Sequence, residues 1–69
     1  MNLSNYKTET GKTWARIAAE LTECAQARDP DKMSRIYEGR LWRLVGGAQA
    51  HDWELLALED LCGAGVTFK

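Results

Sequence analysis

Apolar residues recur at spacings of three and four along most of this chain, and this helical period constrains the fold more than any other feature. The first stripe of this kind consists of Trp14, Ile17, Ala18, Leu21, Cys24 and Ala25. Charged residues such as Glu20 fall on the opposite side. The pattern therefore predicts an amphipathic helix over about residues 12–28, with the hydroxyl of Thr10 or Thr13 as its N-cap.

A proline separates this helix from a second periodic segment. Proline disfavours helical backbone in the residue before it, while its own fixed φ suits the first position of a new helix. The second apolar stripe consists of Met33, Ile36, Tyr37, Leu41 and Leu44. We therefore predict a second helix over about residues 30–46, with Asp29 as its cap, Pro30 at its first position and Gly46-Gly47 at its end.

A third helix is predicted over about residues 52–62, with Asp52 as its cap and Gly63 beyond its end. This segment is apolar around most of its circumference, because its four leucines do not share one stripe: Leu55, Leu56, Leu58 and Leu61. Such a helix lies either in the centre of a core or under a second chain. After it, Val66 to Phe68 could form a short extended tail that lies against Leu3 and Tyr6.

Three helices with short connections predict an all-α fold, a compact three-helix bundle with the extended tail as an open alternative. The periodicity does not decide between an antiparallel and a more orthogonal arrangement. A chain of 69 residues supports one small domain over 1–69, and a homodimer remains open because a domain of this size gains core by dimerising.

Composition and motifs argue against catalysis and against bound cofactors or metals. Cys24, Cys62 and His51 are the whole supply of soft metal ligands, and they lie on three different segments, whereas a metal site needs three or four ligands close together. We expect the two cysteines to be buried free thiols. Gly11-Lys12-Thr13 resembles the end of a phosphate-binding loop, but Tyr6 stands where its other glycine belongs, so a helix start is the better interpretation.

The start of the chain does not have the pattern of a secretory signal, and no apolar run approaches the length of a membrane span. We therefore expect a cytoplasmic protein that does not bind a membrane. Direct nucleic-acid binding is also not expected, although the second and third helices loosely imitate a helix-turn-helix. Residues 46–69 carry a net charge of −3. The third helix, which would enter the DNA groove in such an arrangement, would therefore repel the phosphates.

Trp42 is the strongest candidate for a contact with another protein, because its angular position places it away from the apolar stripe of its helix. Arg35, Gly39 and Arg43 lie around it, and a glycine within a helix is itself unusual. The alternative is that Trp42 packs on the N-terminal arm.

Arg40 lies within the apolar stripe and has three interpretations. Either it extends outward along its aliphatic stem, or it pairs with an acid of the third helix, or it belongs to a self-association face.

The third helix offers a second candidate contact. Asp52, Glu59 and Asp60 lie within about 100° of arc, where they would meet a basic partner surface or simply form a solvated face.

These features favour a non-enzymatic protein-binding module. We expect a small inhibitor or adaptor of the kind that phages and mobile elements use against host defences, such as an anti-CRISPR protein. Its partner would be another protein, with a nucleic-acid-handling host complex as one candidate. A small helix-turn-helix-like regulator is the alternative function. A structural assembly subunit is a third class, which would show itself by concentration-dependent oligomers.

Overall fold

Four α-helices and one short 3₁₀ turn form the protein in the computed structural model, which describes every residue from Met1 to Lys69. The elements are α1 (Leu3–Thr10), α2 (Trp14–Arg28), the 3₁₀ turn (Pro30–Lys32), α3 (Glu38–Val45) and α4 (Asp52–Cys62). The all-α class is confirmed, but the prediction of three helices is wrong. None of the four helices has the length and apolar character that crossing a bilayer requires.

Helix α1 is the element that the periodicity did not predict. The Asn2 side chain accepts a hydrogen bond from the Asn5 N–H at 2.9 Å, and the helix ends at Gly11 in left-handed backbone with φ 70°. Leu3 is the one buried side chain of α1, so no apolar stripe marks it. The two capping residues are the local signals that identify this helix.

Helix α2 agrees with the first predicted helix except that it begins at Trp14 rather than at residue 12. Of the two candidate caps, Thr13 fills the role, because its hydroxyl accepts a hydrogen bond from the Arg16 N–H at 3.1 Å. The stripe residues Ile17 and Leu21 are buried. The apolar period therefore located both the helix and its inner face.

The second predicted helix is wrong over its first half. Pro30 does occupy the first position of a helical turn, but Asp29 makes no side-chain capping bond and the turn ends after three residues at Met33, whose φ is +51°. The chain is then non-helical until α3 begins at Glu38. Met33 and Tyr37 are 59% and 67% exposed, so the start of the apparent apolar stripe is not a buried face.

Two polar side chains of α2 hold the extended segment between the 3₁₀ turn and α3. The Thr22 hydroxyl accepts a hydrogen bond from the Ile36 N–H at 2.9 Å. It can in turn donate a hydrogen bond to the carbonyl of Ala18 at 2.9 Å or to that of Ile36 at 3.1 Å. The Gln26 amide donates to the Ser34 carbonyl at 3.2 Å. These bonds satisfy backbone groups that a helix would have paired internally.

Replacement of Thr22 by valine keeps the side-chain shape but removes these bonds. Because the Ile36 N–H then lies partly buried without a partner, we expect a loss of about 1–3 kcal/mol in the free energy of unfolding. Urea denaturation followed by circular dichroism measures this loss. Thr8→Val is the matched control, since the Thr8 hydroxyl is exposed and bonds only within α1. Equal effects of the two substitutions would show that Thr22 does not hold the segment.

The core lies where α4 packs along α2, with α3 against the same helix. Its buried hydrophobic side chains are Leu3, Ile17, Ala18, Leu21, Ala25, Ile36, Leu41, Leu44, Ala57, Leu58 and Phe68. Helix α4 has the predicted bounds, but Asp52 is its first residue rather than its cap. His51 stands at the cap position, and the Glu54 carboxylate accepts a hydrogen bond from the His51 N–H at 2.8 Å.

The tail after α4 is extended and lies beside the start of the chain. Asn2 and Thr67 form an isolated parallel bridge, with the Leu3 N–H donating to the Thr67 carbonyl at 2.7 Å and the Thr67 N–H donating to the Met1 carbonyl at 3.1 Å. Phe68 is buried in the core. The expected contact between the tail and Leu3 is therefore present.

Candidate protein-binding surface

An ion pair between a partly exposed arginine and a buried glutamate joins α3 to α4. The Arg40 guanidinium donates to the two carboxylate oxygens of Glu54, from Nε at 2.9 Å and from Nη2 at 2.7 Å. Arg40 also donates to the Gln49 carbonyl at 3.1 Å, and Glu54 is fully buried. Of the three interpretations of Arg40, pairing with an acid of the third predicted helix is thus the one that the structure shows.

The environment of Glu54 favours its ionised form. Burial alone raises the pKa of this carboxyl, but the hydrogen bonds from Arg40 and from the His51 N–H, together with the Arg40 charge, lower it further and leave the pKa below its ordinary value of 4.5. The carboxylate is therefore charged at neutral pH and bonded both to Arg40 of α3 and to the His51 N–H before α4.

Trp42 lies on the outer side of α3 and is 61% exposed. The alternative that it packs on the N-terminal arm is therefore wrong. Gly39 and Arg43 are exposed on the same side of α3, and a Cβ at Gly39 would meet no atom within 4 Å, so packing does not require glycine there. We call Gly39, Trp42 and Arg43 the α3 surface. Arg35 is exposed in the extended segment before α3 rather than on the helix itself.

The three acids predicted to form a second contact are in different situations. Asp52 and Glu59 are exposed on α4 and form no ion pair. Asp60 instead accepts hydrogen bonds from the Arg28 guanidinium, with Nη2 to Oδ1 at 2.7 Å, and this bonding lowers the pKa of Asp60. Its carboxylate is therefore already engaged within the chain, a contact between α2 and α4 that the sequence pattern did not reveal.

The outer face of α4 is partly apolar as well as acidic. Leu55 and Leu56 are 48% and 41% exposed, and with Asp52 and Glu59 they follow the spacing of one helix face. We call these four residues the α4 surface. Leu56 also lines a shallow cleft with Arg28 at the end of α2 and Lys32 in the 3₁₀ turn.

The remaining chemically interesting residues serve other roles. Cys24 and Cys62 are free and half-buried, and burial raises the pKa of the Cys62 thiol to about 11, so it stays protonated and weakly nucleophilic at neutral pH.

Lys12 donates to the Tyr6 hydroxyl at 2.8 Å and pairs with Glu20 at 3.0 Å. This lysine therefore ties α1 to α2, and its motif begins a helix rather than a phosphate loop.

No family model matches the chain, and comparison with curated proteins and with solved structures likewise finds no match.

Proposed function

We propose that this chain is a non-enzymatic protein-binding module whose α3 surface occupies a surface of another protein. The observation that carries the proposal is the exposure of Trp42 in the middle of a helix. Tryptophan and arginine are among the residue types that contribute most to the binding energy of protein–protein contacts. In this chain Arg43 directly follows Trp42 in the sequence. Covering the indole would remove a large apolar surface from water.

The way in which α3 is held supports the same function. Leu41 and Leu44 are buried on its inner side, and Arg40 ties it to Glu54 of α4. The outer side chains therefore stand on a helix whose orientation is set before a partner arrives. A surface that is already ordered loses less conformational entropy on binding, so more of the contact energy appears as affinity.

Within this class we propose a small inhibitor or adaptor, of the anti-defence type that phages and mobile elements deploy, anti-CRISPR proteins being an example. It would act in the cytoplasm, without a cofactor or metal, and a host complex that handles nucleic acid is a suitable partner. A helix-turn-helix-like regulator is less well supported, because α4, its reading helix, exposes Asp52 and Glu59. These acids would face phosphates unfavourably.

Trp42→Ala should weaken partner binding by about 2 kcal/mol or more, a loss typical of a central contact residue, while the helical circular dichroism stays unchanged. Tagged wild type and variant are used to capture proteins from nuclease-treated bacterial lysate, with identification by mass spectrometry. The affinity of each is then measured with the purified partner. Met33→Ala is the matched control, because Met33 is an equally exposed apolar residue outside α3.

A protein retained by wild type and by Met33→Ala but lost by Trp42→Ala supports the proposal. Equal capture by all three would remove Trp42 from the binding surface. If only nucleic acid is recovered, from lysate without nuclease, the regulator becomes the better interpretation. Unfolding of Trp42→Ala would place Trp42 in the core and contradict the site assignment.

A further inference from the structure

The α3 and α4 surfaces are complementary in charge and share exposed apolar side chains. We propose that the α3 surface of one copy of this chain binds the α4 surface of a second copy. The inference rests on the proposed function, because it names a partner for the same α3 surface. It would make self-association and partner binding compete for Trp42.

Both surfaces carry charged side chains that form no ion pair within the chain. Arg43 and Arg35 at and beside α3 are exposed, and neither is among the cations that pair with an acid of the chain. Asp52 and Glu59 on α4 are likewise exposed and unpaired. Glu38 at the start of α3 is also exposed, so the side of the molecule around α3 retains a smaller positive charge than the two arginines alone would give. Arg28 of α2, which binds Asp60, also attracts Glu59 electrostatically, so part of the negative charge of the α4 surface is offset within the chain.

The apolar side chains on the two surfaces also match. Trp42 projects from α3, whereas Leu55 and Leu56 project from α4 on either side of the line between Asp52 and Glu59. An indole between two leucines would bury apolar area from both copies, with charges of opposite sign at the edge. This is the usual arrangement of a contact with an apolar centre and a polar rim.

The charges also select this pairing over the symmetrical ones. Two α4 surfaces packed antiparallel would place Asp52 of one copy near Glu59 of the other, and two α3 surfaces would bring Arg43 near its own counterpart. Like charges at a contact are unfavourable and exclude wrong pairings. Only α3 against α4 joins unlike charges.

The size of the two surfaces predicts a weak contact. A stable complex buries about 800 Å² on each partner, a large share of the 4414 Å² that this chain exposes. Helices of eight and eleven residues cover less than that in a single contact. We therefore expect reversible association over protein concentrations from about 10 µM to about 1 mM, rather than a permanent dimer.

Charge reversal and mixing test the pairing. Arg43→Glu and Glu59→Arg should each weaken self-association at least about tenfold, the effect of a like-charge pair worth about 1.4 kcal/mol. An equimolar mixture of the two variants should associate again, because each supplies the surface that the other lacks. Sedimentation velocity across the concentration range measures this, with circular dichroism to show that both variants are folded. Glu23→Arg, the same change at an exposed and unpaired position on α2, should have no effect.

The proposal is overturned if wild type remains monomeric at about 1 mM, if both reversals leave association unchanged, or if the mixture of folded variants stays monomeric. These results are independent of the lysate capture. If Trp42→Ala loses a captured protein while the wild type remains monomeric, the proposed function is supported and a second copy is excluded as the partner. Association that both reversals weaken, without any captured partner, would show that α3 serves self-association and would count against the inhibitor function.

Discussion

Leu21→Ala should leave most of the chain unfolded at 25 °C. Leu21 is fully buried in the middle of α2, facing the helix that carries Leu58. Truncating a buried leucine costs about 2–5 kcal/mol through lost burial and the cavity left behind, and a domain of this size has only about 5 kcal/mol or less of net stability. Helical circular dichroism and urea denaturation measure the loss. Leu44→Ala and Leu58→Ala, at equally buried positions, should behave in the same way.

Leu55→Ala provides the matched control for these substitutions. It makes the same chemical change on α4, but Leu55 is about half exposed and lies on the outer side of the helix. Its removal leaves no enclosed cavity, so the free energy of unfolding should change little. If all three buried variants kept wild-type helicity at 25 °C, the placement of the core between α2, α3 and α4 would be wrong.

Glu54→Ala should lower the free energy of unfolding by about 2–3 kcal/mol, because it leaves partly buried donors without their acceptor. The His51 N–H would lose its partner, whereas Arg40, which is 29% exposed, would keep its bond to the Gln49 carbonyl. Asp60→Ala is the control, since Asp60 also binds an arginine through two oxygens but lies where water reaches it. We expect a much smaller loss there, and equal losses in the two variants would contradict the structural role of Glu54.

The Arg40–Glu54 pair also makes the free energy of unfolding depend on pH. The pKa of Glu54 is lower in the folded protein than its ordinary value of 4.5, so its contribution is present above that pH. It is lost as the pH falls through the folded value, where the carboxyl takes up a proton. Thermal unfolding should therefore show falling stability below about pH 4.5, and Glu54→Gln, which does not titrate, should show a shallower decline. The pKa of Asp60 is also lowered in the folded protein, so its protonation likewise reduces stability in acid.

Periodicity predicted α2, whose stability comes from one continuous buried face, to within two residues. Helix α4 has no single apolar stripe and buries only Glu54, Ala57 and Leu58, and its bounds were predicted from the residues before it and from Gly63 beyond its end. Helix α1 buries only Leu3 and was missed, since one apolar residue makes no pattern. The long second helix was predicted because Met33 and Tyr37 imitate a stripe, whereas the bonds from Thr22 to Ile36 stabilise extended backbone instead. A bond between residues so far apart in sequence leaves no local signature.

The exposure of Trp42 was predictable from the helical period. Its outward position was predicted from its angle to Tyr37 and Leu44, and although Tyr37 lies before α3, the angle to the buried Leu44 holds and Trp42 is exposed. The partner of Arg40 required knowledge of how α3 and α4 pack, and the sequence alone left three alternatives. The engagement of Asp60 by Arg28 was missed because it also depends on packing, in this case of α4 along α2.

The bridge between Asn2 and Thr67 makes the two ends of the chain depend on one another. Helix α1 contributes only Leu3 to the core, and the tail contributes Phe68, so neither segment buries enough apolar surface to be ordered alone. Each supplies backbone partners to the other. The first turn of α1 and the tail should therefore open and close together, and their opening would expose Leu3 and Phe68 at one edge of the core.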